Sequence, residues 1–419
     1  MKVLVIGSGG REHSIIWKLT QSQRINQIFC APGNAGIRRF AECVNIKADD
    51  ITGLCDFAKT NNIDLTVVGS ELPLSLGIVD LFRQNNLLIF GPTKAAARIE
   101  TDKIYAKRLM RKYKVPTPHF AVFDSESHSI GHAKKAQYPL VIKCGSLLAG
   151  KRVSICENFE QAKDSIENCF KNKCGAIIIE EFLAGRELTL SIITDGYTAI
   201  PLSSCVNYKK ALNKDGGLDT AGMGAYAPAN LIDYKLEQKI AHKIIYPIID
   251  ALSKDNTAYT GILSAELIID SQNEPHVLAF NSGIGDPAAQ TILPLLQDDL
   301  FEILYSTAIG GLSDDYETFK ISDDYAVSVI LASGGYPIRF KKNYPIEGLE
   351  FANDDGLLVF HSGTAINEYG ELVTDGGRVL SLTAVASTLH RAYDRVYEAV
   401  DLIQFKDMRY RKDIAKMLM

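Results

Sequence analysis

Short apolar runs recur along the first hundred residues at 2–6 (KVLVI), 27–30 (QIFC), 65–69 (LTVVG) and 87–90 (LLIF), with helix-length stretches such as 11–22 and 50–60 between them. That alternation predicts parallel strands joined by helical crossovers. A Gly-Pro-Thr-Lys turn at 91–94 closes the pattern, and residues 94–113, rich in strong helix formers, predict one continuous helix. Beyond turns at Pro116 and Pro118, strands at 139–144, 151–155 and 176–182 around a helix near 158–171 outline a small α+β lid. From Leu188 to about Ile309 the pattern is strand-rich and is interrupted by a helix near 233–253. Three further short strands and a helix near 385–403 predict a last α+β unit.

Composition narrows the function classes. The chain has 419 residues, 46% hydrophobic and 23% charged, enough for several cores. A net charge of −5 gives no electrostatic reason to expect a nucleic acid or an anionic membrane as partner. The basic residues Lys406, Arg409, Arg411 and Lys412 near the C-terminus read as a solvated helix face. No apolar run approaches membrane-spanning length, and the opening MKVLVIGSGGREH is unlike a signal or transit peptide. The eight cysteines form no CxxC pair and sit mostly beside apolar residues, as small core side chains in a reducing cytoplasm do; Cys169 and Cys174 have no partners that would make a zinc site.

Gly7-Ser8-Gly9-Gly10-Arg11-Glu12-His13 follows a predicted strand and opens a helix, a context in which backbone N–H groups can hold a phosphate or carboxylate. A dinucleotide is disfavoured, because Glu12 replaces the third glycine of GxGxxG. The second strand also ends at Phe29-Cys30-Ala31, where a ribose-binding acid would be expected.

Five motifs carry a specific resemblance: GSGGREH at 7–13, APGNAG at 31–36, VVG at 67–69, GPTKAAA at 91–97 and GMGAYAP at 222–228. With YTG at 259–261, GDP at 285–287, GGYP at 334–337, TDGGRVL at 374–380 and YRKDI at 410–414, the chain resembles phosphoribosylamine-glycine ligases of the ATP-grasp superfamily from end to end. The resemblance implies a multidomain α/β and α+β protein. Its parts are an N-terminal Rossmann-like pre-ATP-grasp domain at 1–101, an ATP-grasp domain at 102–325 with its lid at about 120–188, and a C-terminal α+β domain at 326–419. It also implies a cytoplasmic enzyme that uses ATP and magnesium, or manganese in its place, to join glycine to 5-phosphoribosylamine.

Carried over residue by residue, Lys103 and Lys143 resemble the lysines on the ATP phosphates, and Glu180, Glu181, Phe182 and Leu183 resemble the adenine hinge. Glu187 resembles the carboxylate on the ribose hydroxyls. Lys143, Lys151 of the glycine-rich flap at 145–151 and Asp286 are the implied catalytic residues. Gly9, Gly10, Arg11, Glu12, Asn34, Lys209, Thr220, Gly222, Met223 and Gly224 are the implied substrate contacts.

Departures from the family pattern concentrate in this region. Ala279 stands at the position of a magnesium-ligating Glu, Gly283 at that of an Arg, Ala288 at that of a Glu, and Asn207-Tyr208 at that of Asp-His. Glu266 stands where the family usually has glycine, and Glu266 with Asn281 is the expected metal anchor. Three readings fit that pattern: an active ligase with an altered metal site, a divergent paralogue joining another acid and amine, or a non-catalytic nucleotide-binding regulator.

Overall fold

The computed structural model describes residues 1–145, 153–230, 232–352 and 356–416, apart from the side chain of Tyr234. The flap expected at 145–151 therefore falls outside the described residues, except for Gly145.

The N-terminal unit is a five-stranded parallel sheet in the order Glu42–Cys43, Gln27–Pro32, Lys2–Gly7, Leu65–Val68 and Ile89–Phe90. The apolar runs become strands because both faces of the sheet are covered by helices, so Val3, Leu4, Val5 and Ile6 are all fully buried. The order reverses beside Lys2–Gly7, so the crevice where such sheets bind ligands opens above Gly7 and Gly69. The Glu12 side chain fills it: a β-carbon on either glycine would lie within 2.5 Å of Glu12 atoms.

The predicted helix over 94–113 is two helices, Lys94–Thr101 and Lys103–Lys112. Asp102 takes an extended conformation between them, and its carboxylate caps the second by accepting from Tyr105 N at 2.9 Å. A short acidic side chain makes a better N-cap than an interior helix residue, which propensity summed over a window does not register. The lid is a four-stranded sheet in the order Phe120–Phe123, Ile177–Glu181, Leu140–Cys144 and Val153–Cys156, with helices Glu126–Ala133 and Phe159–Lys171. A disulfide joins Cys144 to Cys174, and the three sulfurs of Cys144, Cys169 and Cys174 lie within 4.8 Å of one another. The cysteines are thus not all free core residues, since residues thirty apart in sequence meet across the lid.

Core and C-terminal units share one eight-stranded sheet. Its order is Pro275–Asn281, Gly261–Ile269, Arg186–Thr194, Ala199–Leu212, Gly216–Ala227, Tyr325–Ala332, Arg378–Ala386 and Leu357–His361. Two helices of the core region, Ala288–Ile292 and Leu300–Ile309, differ from the strand-rich expectation: the first is a single buried turn, too short for a periodic signal, and the second shows Tyr305 and Ile309 beside Glu302 on its more exposed side, so polar alternation does not mark it. The helix expected near 233–253 runs as Tyr234–Ile240, a π-turn, and Tyr246–Lys254. The C-terminal basic run is not a solvated helix. Arg411 is 1% exposed, pairs with Asp215 and Asp413 at 2.8 Å each, donates to the Lys210 carbonyl, and lies over the Tyr208 ring. No helix among the described residues is long and apolar enough to cross a membrane.

The N- and C-terminal units meet through two buried histidines. His361 N donates to His13 Nδ1 at 2.8 Å, which requires that nitrogen of His13 to be unprotonated. Burial, helped by the neighbouring His361, pushes His13 down to about 3, and burial with Arg39 nearby pushes His361 down to about 4. Both folded values lie below the ordinary 6.5, so the unfolded chain takes up protons first as pH falls. Stability should therefore drop below pH ~6.5, by up to about 1.4 kcal/mol per pH unit for each histidine, and level off near the folded values. Urea titrations between pH 7 and 4 check this; His13→Gln should lower stability at pH 7 but make the decline shallower.

Candidate active site

Strand alternation builds the floor of the cleft. Leu188, Leu190 and Ile192 on one strand and Leu263, Ala265 and Leu267 on its partner turn to one face and join a buried apolar cluster with the helices beneath. The intervening residues must then face the other way. They are Glu187, Thr189 and Ser191, paired across the strands with Ile268, Glu266 and Ser264. Glu266 and Ser264 lie in turn opposite Ala279 and Asn281. Asn207 reaches the same face, donating to Thr189 Oγ1 at 3.1 Å.

At the centre of this floor Glu266 uses both carboxylate oxygens. Oε2 accepts from Lys209 Nζ at 2.8 Å and Oε1 from Asn281 Nδ2 at 3.1 Å. Burial works against the Lys209 ammonium, but the Glu266 and Glu187 carboxylates outweigh it and raise its pKa. The residues expected to anchor a metal, Glu266 and Asn281, are thus adjacent. Glu266 lies directly opposite Ala279 on the neighbouring strand.

The lid supplies the roof. Leu140, Ile142 and Cys144 point into the lid core, which leaves Val141 and Lys143 on the other face with their partners Ile155, Val153, Glu180 and Ile178. Val153 and Ile155 are 39% and 52% exposed, an apolar wall beside a buried lysine. Lys143 Nζ pairs with Glu180 Oε2 at 2.8 Å and donates to the Leu278 carbonyl of the floor at 3.1 Å. Glu180 therefore acts through its buried side chain, a role the hinge reading gave only to its backbone. Glu181 is exposed and accepts from His119 N, Phe182 is exposed, Leu183 is half-buried and Glu187 is exposed at the cleft edge. Lys103 begins its helix with its N–H on the Gly145 carbonyl, which ties it to the base of the flap. Lys151 lies outside the described residues.

A second group of predicted residues gathers where the three units meet. Asp286 Oδ1 accepts from Gln290 Nε2 at 2.8 Å and from Arg378 at 3.1 Å. Arg378 also donates to the carbonyls of Ala221, Gly222 and Asp286. Gly222 has φ +123°, and a β-carbon there would lie 2.7 Å from the Asp286 carbonyl oxygen, so only glycine lets the two segments approach. Thr220 Oγ1 donates to the Lys209 carbonyl and accepts from Gly222 N, which fixes this turn beside the floor. Arg11 pairs with Glu12 at 2.8 Å and donates to the Ile284 carbonyl.

Several expected substrate contacts make contacts within the protein in this structure. The Gly9 amide is taken by Glu12 Oε2 and the Gly10 amide by Ser362 Oγ, so neither N–H is open to a phosphate. Glu12 is 3% exposed and spends its carboxylate on Gly9 and Arg11. Asn34 donates to the Ser8 and His361 carbonyls and accepts from the Gly36 and Ile37 amides, tying the N-terminal unit to the C-terminal one. Met223 packs with Ile330 and Ala332. A β-carbon on Gly224 would meet Ile414 and the Ser328 carbonyl at 2.7 Å, so that glycine serves close packing. The sequence reading missed Lys107, Gln290, Ser362 and Arg378. Arg378 lay within the TDGGRVL motif and was findable there, whereas Gln290 and Ser362 carry no local signal.

Glu180, 2% exposed, is the anion that holds two buried ammonium groups in place, those of Lys143 and Lys107. Glu180→Leu should cost about 3–5 kcal/mol of unfolding free energy, because both lysines lose their buried partner. Chemical denaturation measures it; a loss under about 1 kcal/mol would show that solvent already compensates these charges.

Comparison with known proteins agrees with this architecture. Residues 1–100 match the N domain of phosphoribosylglycinamide synthetase, 101–289 its ATP-grasp (A) domain and 326–417 its C domain. The chain is 43% identical to the phosphoribosylamine–glycine ligase of Caldanaerobacter subterraneus subsp. tengcongensis, over 99% of each chain. It is 38% identical to that of Vibrio parahaemolyticus, over 99% of this chain and 97% of the other. The crystal structure of phosphoribosylamine–glycine ligase from Thermotoga maritima superposes with a TM-score of 0.86 at 30% identity, covering 99% of this chain and 100% of that one. Biotin carboxylase from Campylobacter jejuni, at a TM-score of 0.74 and 14% identity, shares the fold. A lid over a polar sheet floor, matched by three consecutive domain families and by full-length relatives, places the chain in the phosphoribosylglycinamide synthetase family.

Proposed function

We propose that the protein joins glycine to 5-phosphoribosylamine at the expense of ATP, giving glycinamide ribonucleotide, ADP and phosphate in purine biosynthesis. The observation that carries this reading is the polar sheet face from Glu187 to Asn281 beneath the lysine-bearing lid, in a chain matched over its whole length by ligases of that name. ATP lies between lid and floor. Val153, Ile155 and the 181–183 hinge flank the base, Glu187 accepts from the ribose hydroxyls, and Lys103 and Lys143 face the phosphates. A glycine carboxylate oxygen attacks the γ-phosphorus and ADP leaves. The sugar amine then attacks the carbonyl carbon of the acyl phosphate, losing a proton as phosphate departs. This sequence needs no side-chain nucleophile, so the protein's contribution is alignment and charge. Asp286, already balanced by Arg378, positions the Gly222 turn against the floor.

Glu266 and Asn281 fit a magnesium ion that keeps most of its coordination as water and phosphate oxygens. One carboxylate and one amide oxygen suffice for such an ion, and turning the Asn281 amide presents its oxygen beside Glu266. The ion would neutralise charge on the transferring phosphoryl group. Lys209 shares Glu266 and would have to yield one oxygen to it.

Purified protein incubated with Mg-ATP, glycine and phosphoribosylamine generated in place should release ADP and glycinamide ribonucleotide in equal amounts. ADP without that product would assign the ligase chemistry to another amine, and ATP binding without ADP would indicate a silent relative. Glu266→Ala should raise the Mn2+ dissociation constant of the protein–ATP complex, read by electron paramagnetic resonance, by about tenfold or more. Adding Ala279→Glu to that variant should restore much of the loss, and unchanged Mn2+ binding in Glu266→Ala would remove the anchor.

A further inference from the structure

Beneath the lid lies a lysine that the ATP-site reading does not use. Lys107 is 3% exposed, one helical turn from Lys103, and its ammonium lies 3.1 Å from Glu180 Oε1. That approach is not aligned as a hydrogen bond, so Glu180 Oε1 has no hydrogen-bond partner although it is buried. Lys107 Nζ donates instead to Thr117 Oγ1, which itself donates to the Val277 carbonyl of the floor at 2.7 Å. The other Glu180 oxygen holds Lys143 at 2.8 Å. Lys107 is thus held from two sides, by the lid carboxylate and by the floor strand next to Leu278, the residue whose carbonyl receives Lys143.

The Lys107 ammonium, which has three N–H donors, binds the Thr117 hydroxyl and at the same time holds its charge 3.1 Å from the Glu180 carboxylate. Without Lys107, Glu180 would bind Lys143 alone and more tightly, and the lysine facing the nucleotide would be neutralised by its own neighbour. With Lys107, two ammonium groups share one carboxylate with the charge of Lys103 close to Lys107, and the net charge of the group is positive.

We propose that Lys107 is a positioning residue of the nucleotide site: by sharing Glu180 it keeps the Lys143 ammonium available to the phosphates. The proposal rests on the assignment of this cleft to ATP. The groups facing Lys107 are Glu180, Lys143 and Lys103, with Phe120 at 5.7 Å and Arg111 beyond that ring. Burial, with the charges of Lys143 and Lys103, outweighs Glu180 and brings Lys107 down to about 8. Its proton is therefore present at neutral pH and lost as pH rises through that value.

The test is direct binding of ADP and of a non-hydrolysable ATP analogue by calorimetry from pH 7 to 9.5, beside steady-state kinetics. Lys107→Met should weaken nucleotide binding at pH 7.5 by about tenfold, raise KM for ATP and leave KM for glycine unchanged. The unaltered protein should lose affinity above pH ~8, whereas Lys107→Arg, which stays charged, should bind at pH 7.5 as the unaltered protein does and lose that alkaline limb. Wild-type affinity in Lys107→Met, or an alkaline limb persisting in Lys107→Arg, would overturn the proposal. Should either variant fail to fold, the pH profile of the unaltered protein still decides, since a flat profile to pH 9.5 contradicts it. Nucleotide binding without turnover would separate failure of the ligase reading from failure of this one.

Discussion

Two strands of the eight-stranded sheet are apolar on one face and polar on the other, over Glu187–Ser191 and 264–268, and the cleft follows from that pattern. Leu188, Leu190, Ala265 and Leu267 bury against helices, so Glu187, Thr189, Ser264 and Glu266 cannot avoid pointing the opposite way. A one-residue slip would bury Glu187 of one strand or Glu266 of the other in the apolar layer, at a cost far beyond what any backbone pairing returns. Register therefore fixes which side chains meet substrate, and the lid only has to close over a floor whose chemistry is already set.

Charge balance also shapes the floor of the cleft. Glu266 stands directly opposite Ala279, and Lys209 and Asn281 hold its carboxylate there. Cross-strand neighbours occupy nearly the same point of the face, so a charge can change strands while the field above the sheet changes little. The lid shows the complementary arrangement, with Glu180 between Lys107 and Lys143. Opposed fields of this kind are what the proposed reaction requires, in which a triphosphate bridged to a cation would meet the roof through its anion and the floor through the metal.

Much of this was legible in the chain. The parallel N-terminal unit and the lid followed from apolar periodicity, which is a local signal, whereas the pairing of Glu266 with Asn281 was an implication of the family resemblance. The break at Asp102 was hidden by good helix formers on both sides, and the helix Leu300–Ile309 by apolar residues on its more exposed side as well as its buried one. Long-range contacts were out of reach. Asn34 and His13 reach His361 across more than three hundred residues, and Arg411 is buried by the hairpin that carries Asp215. Motif matching also marks residues that hold the fold as readily as those that touch substrate, as Gly9, Gly10, Met223 and Gly224 do in this protein.

The central claim is that this cleft phosphorylates a carboxylate before the amine attacks. Glycine labelled with 18O in its carboxylate, turned over with ATP and phosphoribosylamine, tests it by mass analysis of the inorganic phosphate released. One labelled oxygen per phosphate is the predicted result, since the oxygen that attacks the γ-phosphorus leaves with it. Phosphate free of label beside accumulating product would contradict an acyl phosphate and, with it, the division of labour between an anion-binding roof and a metal-binding floor.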